Sequence, residues 1–105
     1  MKAILLIFIL ALFVVSGCAT QEIDKATAEC IASKSTLYVR TGCPYCEEQK
    51  NLFGESVEYL NVIDCMEEPA VCATEAIAVV PTWVIDGEKI VGVQSIAKLK
   101  ELTGC

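Results

Sequence analysis

The sequence predicts a small α/β sandwich in which short strands and helices alternate along the chain. Three observations predict it: a β-rich segment precedes a helix that starts at Pro44, a second strand and helix follow, and two short strands flank Asp86-Gly87. An Asp-Gly pair between β-rich segments favours a tight hairpin. The expected order is β-α-β-α-β-β-α after one leading helix. A parallel strand pair extended by an antiparallel hairpin then has helices on its faces.

Local patterns justify each element in turn. The predicted helices span Ala26 to Ser33, Pro44 to Phe53 with Gly54 as its cap, Pro69 to about Ala76, and Ser95 to a cap at Gly104. The predicted strands span Thr36 to Arg40, Val57 to Ile63, Thr82 to Ile85, and Lys89 to Val91. Proline suits the first position of a helix because that position needs no N–H. The residues expected to face inward from the last two helices are Ala70, Val71, Ala73, Ile77, Ile96, Leu99 and Leu102.

The first 17 residues predict a secretory signal, because a lysine is followed by an apolar run from Ala3 to Val15. This run is shorter than the roughly 20 residues of a membrane-spanning helix. The segment that ends at Cys18, Val-Ser-Gly-Cys, resembles the lipobox of bacterial lipoproteins, which implies cleavage before Cys18 and lipidation of its thiol. Residues 18–25 then form a polar tether and 26–105 the domain. An uncleaved anchor and a secreted protein with an incidental Cys18 remain open alternatives.

The charge of the chain argues against nucleic acid as a partner. The 105 residues include 8 Lys and Arg and 14 Asp and Glu, a net charge of −6, and removal of residues 1–17 takes away Lys2 and leaves −7. Phosphate binding depends on clustered basic residues, which this chain lacks. We expect a monomer that needs no cofactor. A domain of this size buries a small core, so covalent staples help to stabilise it.

Cys43-Pro44-Tyr45-Cys46 is the candidate catalytic centre. A thiolate rather than a thiol attacks disulfides, so the chemistry needs a feature that lowers a cysteine pKa. A helix N-terminus supplies backbone N–H groups and a partial positive charge to Cys43, the expected nucleophile. Cys46, one turn later, is placed to resolve a mixed disulfide. Arg40 would support the thiolate, whereas Glu47 and Glu48 would oppose it.

Half of a zinc site and a purely structural bridge are the alternatives for this pair. A four-thiolate zinc site usually has two close pairs, whereas six residues separate Cys65 from Cys72, and the chain has no histidine. We therefore predict a redox pair and no metal. A structural staple and a second redox pair both remain open for Cys65 and Cys72. Cys30 and Cys105 either tie the two ends of the domain together or leave a free terminal thiol.

Val80-Pro81 heads an apolar strand, after a helix and before the hairpin. This placement matches the proline of the thioredoxin fold, which is cis and faces the reactive cysteines. The backbone at such a turn can pair with an extended substrate chain, so Val80 and Pro81 are the predicted substrate-binding residues. The alternative is an ordinary trans proline at a strand edge. Trp83 is expected in the core or on the sheet.

The motifs together resemble the thioredoxin superfamily: CPYC, then VPTW about 35 residues later, in this order of strands. More narrowly, the segments LYVRTGCPYCEEQKNLFG and VPTWVIDGEKIVGVQSIAKLKELTGC resemble the thioredoxin-like domain fused to, or partnered with, bacterial vitamin K epoxide reductase homologues. The resemblance runs from about Glu29 to Cys105 and implies a glutaredoxin-size, three-layer sandwich. It implies that Cys43 and Cys46 take electrons from protein thiols and pass them to a separate membrane enzyme, which reduces a quinone.

Two departures bear on function. The strand Leu37 to Val39 lacks the buried acid of thioredoxins, and Val91 to Ser95 lacks the Gly-Gly and acid that hold glutathione in glutaredoxins. The expected function is a lipid-anchored thiol–disulfide oxidoreductase on the extracytoplasmic face of a membrane. A disulfide reductase recharged by a membrane electron conduit and a glutaredoxin-like reductase remain open, because direction follows reduction potential. A non-catalytic, disulfide-stapled lipoprotein is the remaining class.

Overall fold

The computed structural model describes residues 23–105. The predicted signal peptide (1–17), the proposed lipidation site Cys18 and most of the predicted tether lie outside the described residues. Between residues 23 and 105, no helix has both the length and the apolar character needed to cross a bilayer.

The described chain contains four α-helices and four strands in the expected order. They are α1 Lys25–Lys34, β1 Ser35–Val39, α2 Pro44–Asn51, β2 Val62–Asp64, α3 Pro69–Thr74, β3 Thr82–Ile85, β4 Glu88–Val91 and α4 Ile96–Thr103. The strands form one sheet in the order β2-β1-β3-β4. β1 and β2 are parallel, whereas β3 is antiparallel to both β1 and β4. The predicted α/β sandwich, with a parallel pair extended by a hairpin, is therefore confirmed.

The two faces of the sheet carry separate apolar clusters, because successive side chains of a strand point to opposite faces. Leu37 and Trp83 belong to the larger cluster, which includes residues of α1, α2 and α4. Tyr38 belongs to the smaller cluster on the other face, beside α3. The buried members of the larger cluster are Ala28, Ile31, Leu37, Val39, Cys46, Phe53, Trp83, Ile85 and Leu99. Helices thus cover both faces, which gives three layers.

The hairpin and the last helix follow their local sequence signals. Asp86 and Gly87 both have positive φ, at 51° and 77°, as a two-residue type I′ turn requires. α4 begins after Ser95, whose side chain accepts a hydrogen bond from the backbone N–H of Lys98 at 3.1 Å. It ends at Gly104, whose left-handed φ of 72° suits glycine.

The prediction of a strand from Val57 to Ile63 is wrong over most of its length. Residues Gly54–Tyr59 form a 3₁₀-helix, and only Val62–Asp64 form β2. Val57 and Leu60 lie three residues apart, so they fall on one side of a 3₁₀ turn, and both pack against the larger cluster. The same apolar spacing is compatible with a strand, which is why the sequence predicts one from Val57 to Ile63.

Two helix predictions also need correction. α2 stops at Asn51 with Leu52 as its C-cap, so Gly54 is not the cap. Gly54 has a positive φ of 54° and is instead the first residue of the 3₁₀-helix. α3 stops at Thr74, before Ala76, which has a positive φ of 54°. The residues of α3 that were expected to face inward, Ala70, Val71 and Ala73, are exposed. The inward residue is Cys72, because its disulfide draws that side of the short helix onto the sheet.

Candidate active site

Cys43 is the N-cap of α2. Its backbone is extended, with φ −91° and ψ 112°, and Pro44 takes the first helical position. The preceding Gly42 has a φ of +83°, a conformation that costs glycine little and other residues more. The backbone N–H of Cys46 donates to Cys43 Sγ at 3.2 Å. A negative charge on this sulfur would therefore be stabilised by an N–H group at the positive end of a helix.

Cys43 and Cys46 form a disulfide, and their two sulfurs differ in access. Their Cα atoms lie 5.2 Å apart. Cys43 is partly exposed, whereas Cys46 is fully buried in the larger apolar cluster. An incoming thiolate can therefore reach only the Cys43 sulfur. Cys46 is placed as the leaving group in that attack and as the resolving thiol in its reverse.

The Val80–Pro81 peptide bond is cis, and it lies beside the disulfide. The Val80 carbonyl oxygen is 4.0 Å from Cys43 Sγ. The Pro81 carbonyl is already occupied, since it accepts a hydrogen bond from the Gly92 N–H at 2.8 Å. By contrast, Val80 takes part in no backbone–backbone hydrogen bond within residues 23–105. Its N–H and C=O are therefore available to an extended chain placed next to Cys43.

Gln49 fixes α2 against the sheet, a role that its neighbours in the sequence do not predict. This side chain is fully buried. Its Oε1 accepts from Trp83 Nε1 at 2.9 Å and from the Gln94 backbone N–H at 2.6 Å, and its Nε2 donates to the Gln94 carbonyl at 3.1 Å. One amide thus joins the helix that carries Cys46 to β3 and to the segment after β4. The signal available in the sequence was its position three residues after Cys46, on the same helix face.

Asp64 holds the loop that leads into Cys43, and it too was not predicted. Its Oδ2 accepts a hydrogen bond from the Thr41 hydroxyl at 2.6 Å, and its Oδ1 accepts from the Met66 backbone N–H at 2.8 Å. These bonds, that from Thr41 most of all, hold the pKa of Asp64 below its usual 3.8. The end of β2 is thereby connected to the turn between β1 and α2.

The charges near Cys43 are of both signs. Arg40 and Glu48 are exposed and form no salt bridge within residues 23–105. Glu47 pairs with Lys50 at 2.9 Å. The buried polar side chains of the described chain are Ser35, Gln49, Thr82 and Thr103. None of these four carries a carboxylate, so the described residues include no buried acid that could transfer a proton to or from Cys46.

The structure pairs the four other cysteines that it describes. Cys30 bonds to Cys105, 75 residues later, with Cα atoms 6.0 Å apart. Cys65 bonds to Cys72, with Cα atoms 5.7 Å apart. The second bridge packs with Tyr38 in the smaller cluster, and Val80 contacts that cluster. The Cys65–Cys72 bridge therefore belongs to the cluster on which Val80, the neighbour of Cys43, packs.

The described residues offer no alternative metal centre. Within 23–105, no three His, Cys, Asp or Glu side chains come together in a group that could hold an ion. The site residues predicted from the sequence thus separate into three sets within residues 23–105. Cys43, Cys46, Val80 and Pro81 lie together. The Cys65–Cys72 bridge lies in the smaller cluster, which Val80 contacts, whereas the disulfide of Cys30 joins α1 to the last residue, Cys105.

Comparison with known proteins gives curated relatives and several structural neighbours. Among the relatives is the thiol-disulfide oxidoreductase LTO1 of Arabidopsis thaliana, which is 34% identical over an alignment of 77 positions that covers 65% of this chain. The chain spans only about 20% of that relative's length. No protein-family model matches the chain.

Solved structures that resemble this chain include two thioredoxins and a domain of a larger reductase. A mutant thioredoxin from Halobacterium salinarum is 21% identical with a TM-score of 0.54, covering 78% of this chain and 83% of that one. Oxidised thioredoxin from Plasmodium falciparum is 17% identical, with a TM-score of 0.51 and coverages of 78% and 90%. The NTD_N/C domain of alkylhydroperoxide reductase AhpF from Enterococcus faecalis is 19% identical with a TM-score of 0.52, covering 78% and 45%. These likenesses show that the fold is thioredoxin-like.

Proposed function

We propose that this protein is a thiol–disulfide oxidoreductase that takes electrons from protein thiols through Cys43 and Cys46. The observation that carries the proposal is the asymmetry of the disulfide. The reachable sulfur, Cys43 Sγ, accepts an N–H bond at the start of α2 and lies 4.0 Å from the Val80 carbonyl. Its partner Cys46 is buried. The curated relative carries the same class of activity in its name.

The reaction proceeds in two exchanges. A substrate thiolate attacks Cys43 Sγ, the Cys43–Cys46 bond breaks, and Cys46 leaves as a thiolate that takes up a proton. A second substrate thiolate then attacks the substrate sulfur of the mixed disulfide, and Cys43 leaves as a thiolate stabilised by the Cys46 N–H. The substrate has lost two electrons and now holds a disulfide, and Cys43 and Cys46 have gained those two electrons.

The proposed location is the extracytoplasmic face of a membrane, with the chain anchored by a lipid on Cys18. The sequence of the first 18 residues supports the anchor. The Cys30–Cys105 and Cys65–Cys72 bridges support the compartment, since structural disulfides persist mainly outside the reducing cytosol.

The proposed electron acceptor is a separate membrane protein, similar to vitamin K epoxide reductase, that passes electrons to a quinone. The support is the resemblance carried by CPYC, VPTW and the paired cysteines at the ends of the domain. In this scheme the reduced dithiol of Cys43 and Cys46 returns its two electrons to a disulfide of that partner. The opposite flow, from a membrane conduit to substrate disulfides, uses the same residues.

Trapping in the producing cells tests the proposal. A Cys46→Ser variant keeps Cys43 but lacks the thiol that releases Cys43 after it has attacked a disulfide of the partner or of an oxidised substrate. Both should therefore accumulate as adducts that reducing agent releases. Cys46→Ala serves as a second trap, because a methyl group suits the apolar site of Cys46. The matched control is the Cys43→Ser, Cys46→Ser double variant, which should give no adducts. Absence of adducts from both traps would refute oxidoreductase function at this site.

The wild-type redox state then gives the direction of electron flow. A Cys43–Cys46 pair that is mostly oxidised in cells, with a trapped quinone-linked partner, supports the proposed oxidase. A mostly reduced pair, with a potential near the roughly −270 mV of thioredoxin, supports the reductase instead. A glutathione adduct as the dominant trapped species would support a glutaredoxin-like reductase.

A further inference from the structure

Two hollows share Val80 as a lining residue, and the Val80 carbonyl oxygen lies 4.0 Å from the reactive sulfur of Cys43. We call the first the helix-side hollow; it measures about 320 Å³ and is lined by Tyr45, Glu48, Val80, Pro81, Gly92 and Val93. The second is the loop-side hollow; it measures about 200 Å³ and is lined by Arg40, Cys65, Ile77, Ala78, Val79 and Val80. A chain that crosses Val80 therefore has one hollow on each side of it.

Each hollow contains one charged side chain, and the two charges are opposite. Glu48 lines the helix-side hollow and Arg40 the loop-side hollow. Neither is engaged in a salt bridge within residues 23–105, whereas the adjacent Glu47 is paired with Lys50. Their charges are therefore available to a partner rather than neutralised inside the domain.

The surface between the two charges is apolar. Tyr45 is 67% exposed on the helix side, and Val79 is 49% exposed on the loop side. Exposed aromatic and aliphatic residues beside unpaired charges are typical of surfaces that bind other proteins. The chemistry of a matching ligand is thus an apolar centre with a basic group at one end and an acidic group at the other.

We propose that the site selects extended protein segments whose reactive cysteine has a basic residue towards Glu48 and an acidic residue towards Arg40. This inference rests on the proposed function and names the substrate class of that same site. The Val80 N–H and C=O provide the backbone pairing, as when a peptide adds to the edge of a sheet. In an extended chain, residues two before and two after the cysteine lie on its own face. Those two positions should carry the charges.

The effect of the two charges should be moderate, because both side chains are exposed. Exposed charge pairs alter equilibria and rates by about two- to fivefold each. Two pairs that act together should favour the matching order over an uncharged peptide by about four- to twenty-five-fold. The ratio to the reversed order should be at least as large, because reversal replaces both attractions by repulsions. Added salt should weaken the preference, since it screens exposed charges.

The test uses four peptides that differ only in the charges two residues before and after a single cysteine: Lys then Glu, Glu then Lys, Lys in both places, and Glu in both. Each cysteine is activated as a mixed disulfide with neutral 2-thiopyridine. The Cys43 thiolate of the Cys46→Ser variant attacks the peptide sulfur, and 2-thiopyridone leaves. Its absorbance gives the rate of formation of the peptide–Cys43 disulfide.

The expected result is a preference for one of the two mixed orders, and its inversion when Arg40→Glu and Glu48→Lys are combined in the Cys46→Ser background. The matched control is Glu47→Gln, which removes a neighbouring charge of α2 outside both hollows. This control should change all four rates equally, because it acts on the reactivity of Cys43 and not on the peptide.

The outcomes separate the inference from the function it rests on. Equal rates for all peptides, or a preference that survives the charge reversal, would overturn the inference while leaving oxidoreductase chemistry intact. No reaction with any peptide would count against the proposed function itself. A preference for two lysines or two glutamates would also refute the two-sided model.

Discussion

Replacement of the buried Gln49 should destabilise the domain more than any exposed substitution on the same helix. Methionine has a similar length and no hydrogen-bonding amide, so Gln49→Met removes all three bonds of this side chain. It leaves Trp83 Nε1 and the Gln94 N–H without their partner. Trp83 is 1% exposed, so water cannot replace the lost acceptor at the indole. Each unsatisfied buried donor costs about 1–3 kcal/mol, so a loss of about 2–4 kcal/mol in the free energy of unfolding is expected.

Denaturant unfolding at constant disulfide content measures this loss. At roughly 4–8 °C per kcal/mol for a domain of this size, Tm should fall by about 10–25 °C. The matched control is Asn51→Met, an exposed position of α2, which should lie within about 0.5 kcal/mol of wild type. A Gln49→Met loss no larger than that of the control would refute the reasoning.

A double-mutant cycle with Trp83→Phe isolates the indole bond. Phenylalanine removes the Nε1 donor, so the two substitutions together should cost less than the sum of their separate losses, by about 1 kcal/mol. Additive losses would show that the 2.9 Å contact between Trp83 and Gln49 contributes nothing to stability.

Two further predictions concern pH and disulfides. Because the folded pKa of Asp64 lies below 3.8, its contribution is complete above that value and is lost as pH falls through the folded pKa. Asp64→Asn should therefore lower the unfolding midpoint at neutral pH and make little difference in strong acid; an equal effect at both pH values would contradict this. Removal of Cys30–Cys105 should cost about 4 kcal/mol and removal of Cys65–Cys72 about 2–3 kcal/mol, since the first closes the longer loop. Paired serine variants compared by urea unfolding test the ranking, which the reverse order would overturn.

Much of the site could be predicted because its signals are local. The turn that places Cys43 at a helix start is encoded by Gly42 and Pro44, and the hairpin is encoded by Asp86-Gly87. Such signals depend on a few adjacent residues and their allowed φ values. The alternation of strands and helices also predicts a parallel pair extended by an antiparallel hairpin, as the sheet shows.

The parts that the sequence did not reveal depend on distant partners. Gln49 lies in a polar run, Glu-Glu-Gln-Lys-Asn, that looks like a solvated helix face, and only the folded chain brings Trp83 and Gln94 to it. The segment around Val57 has apolar spacing compatible with either a strand or a 3₁₀ turn, and packing against the core decides between them. The sequence predicts the wrong inward residues for α3, because the disulfide at Cys72 orients that helix and apolar periodicity does not.

The residue at which the fold starts sets how far a lipid on Cys18, as proposed above, would let the reactive disulfide move from a membrane. The Ile23 carbonyl is already held by the Ser56 hydroxyl at 2.9 Å, and α1 begins two residues later. If Cys18 carries the proposed lipid, Ile23 lies five residue steps along the chain from it, which is at most about 18 Å of extended chain. With a tether of this length, the domain would meet a membrane-embedded partner within a thin layer at the membrane surface. Confinement to that layer would raise the local concentration of the domain near the partner above that of the same amount of protein free in solution.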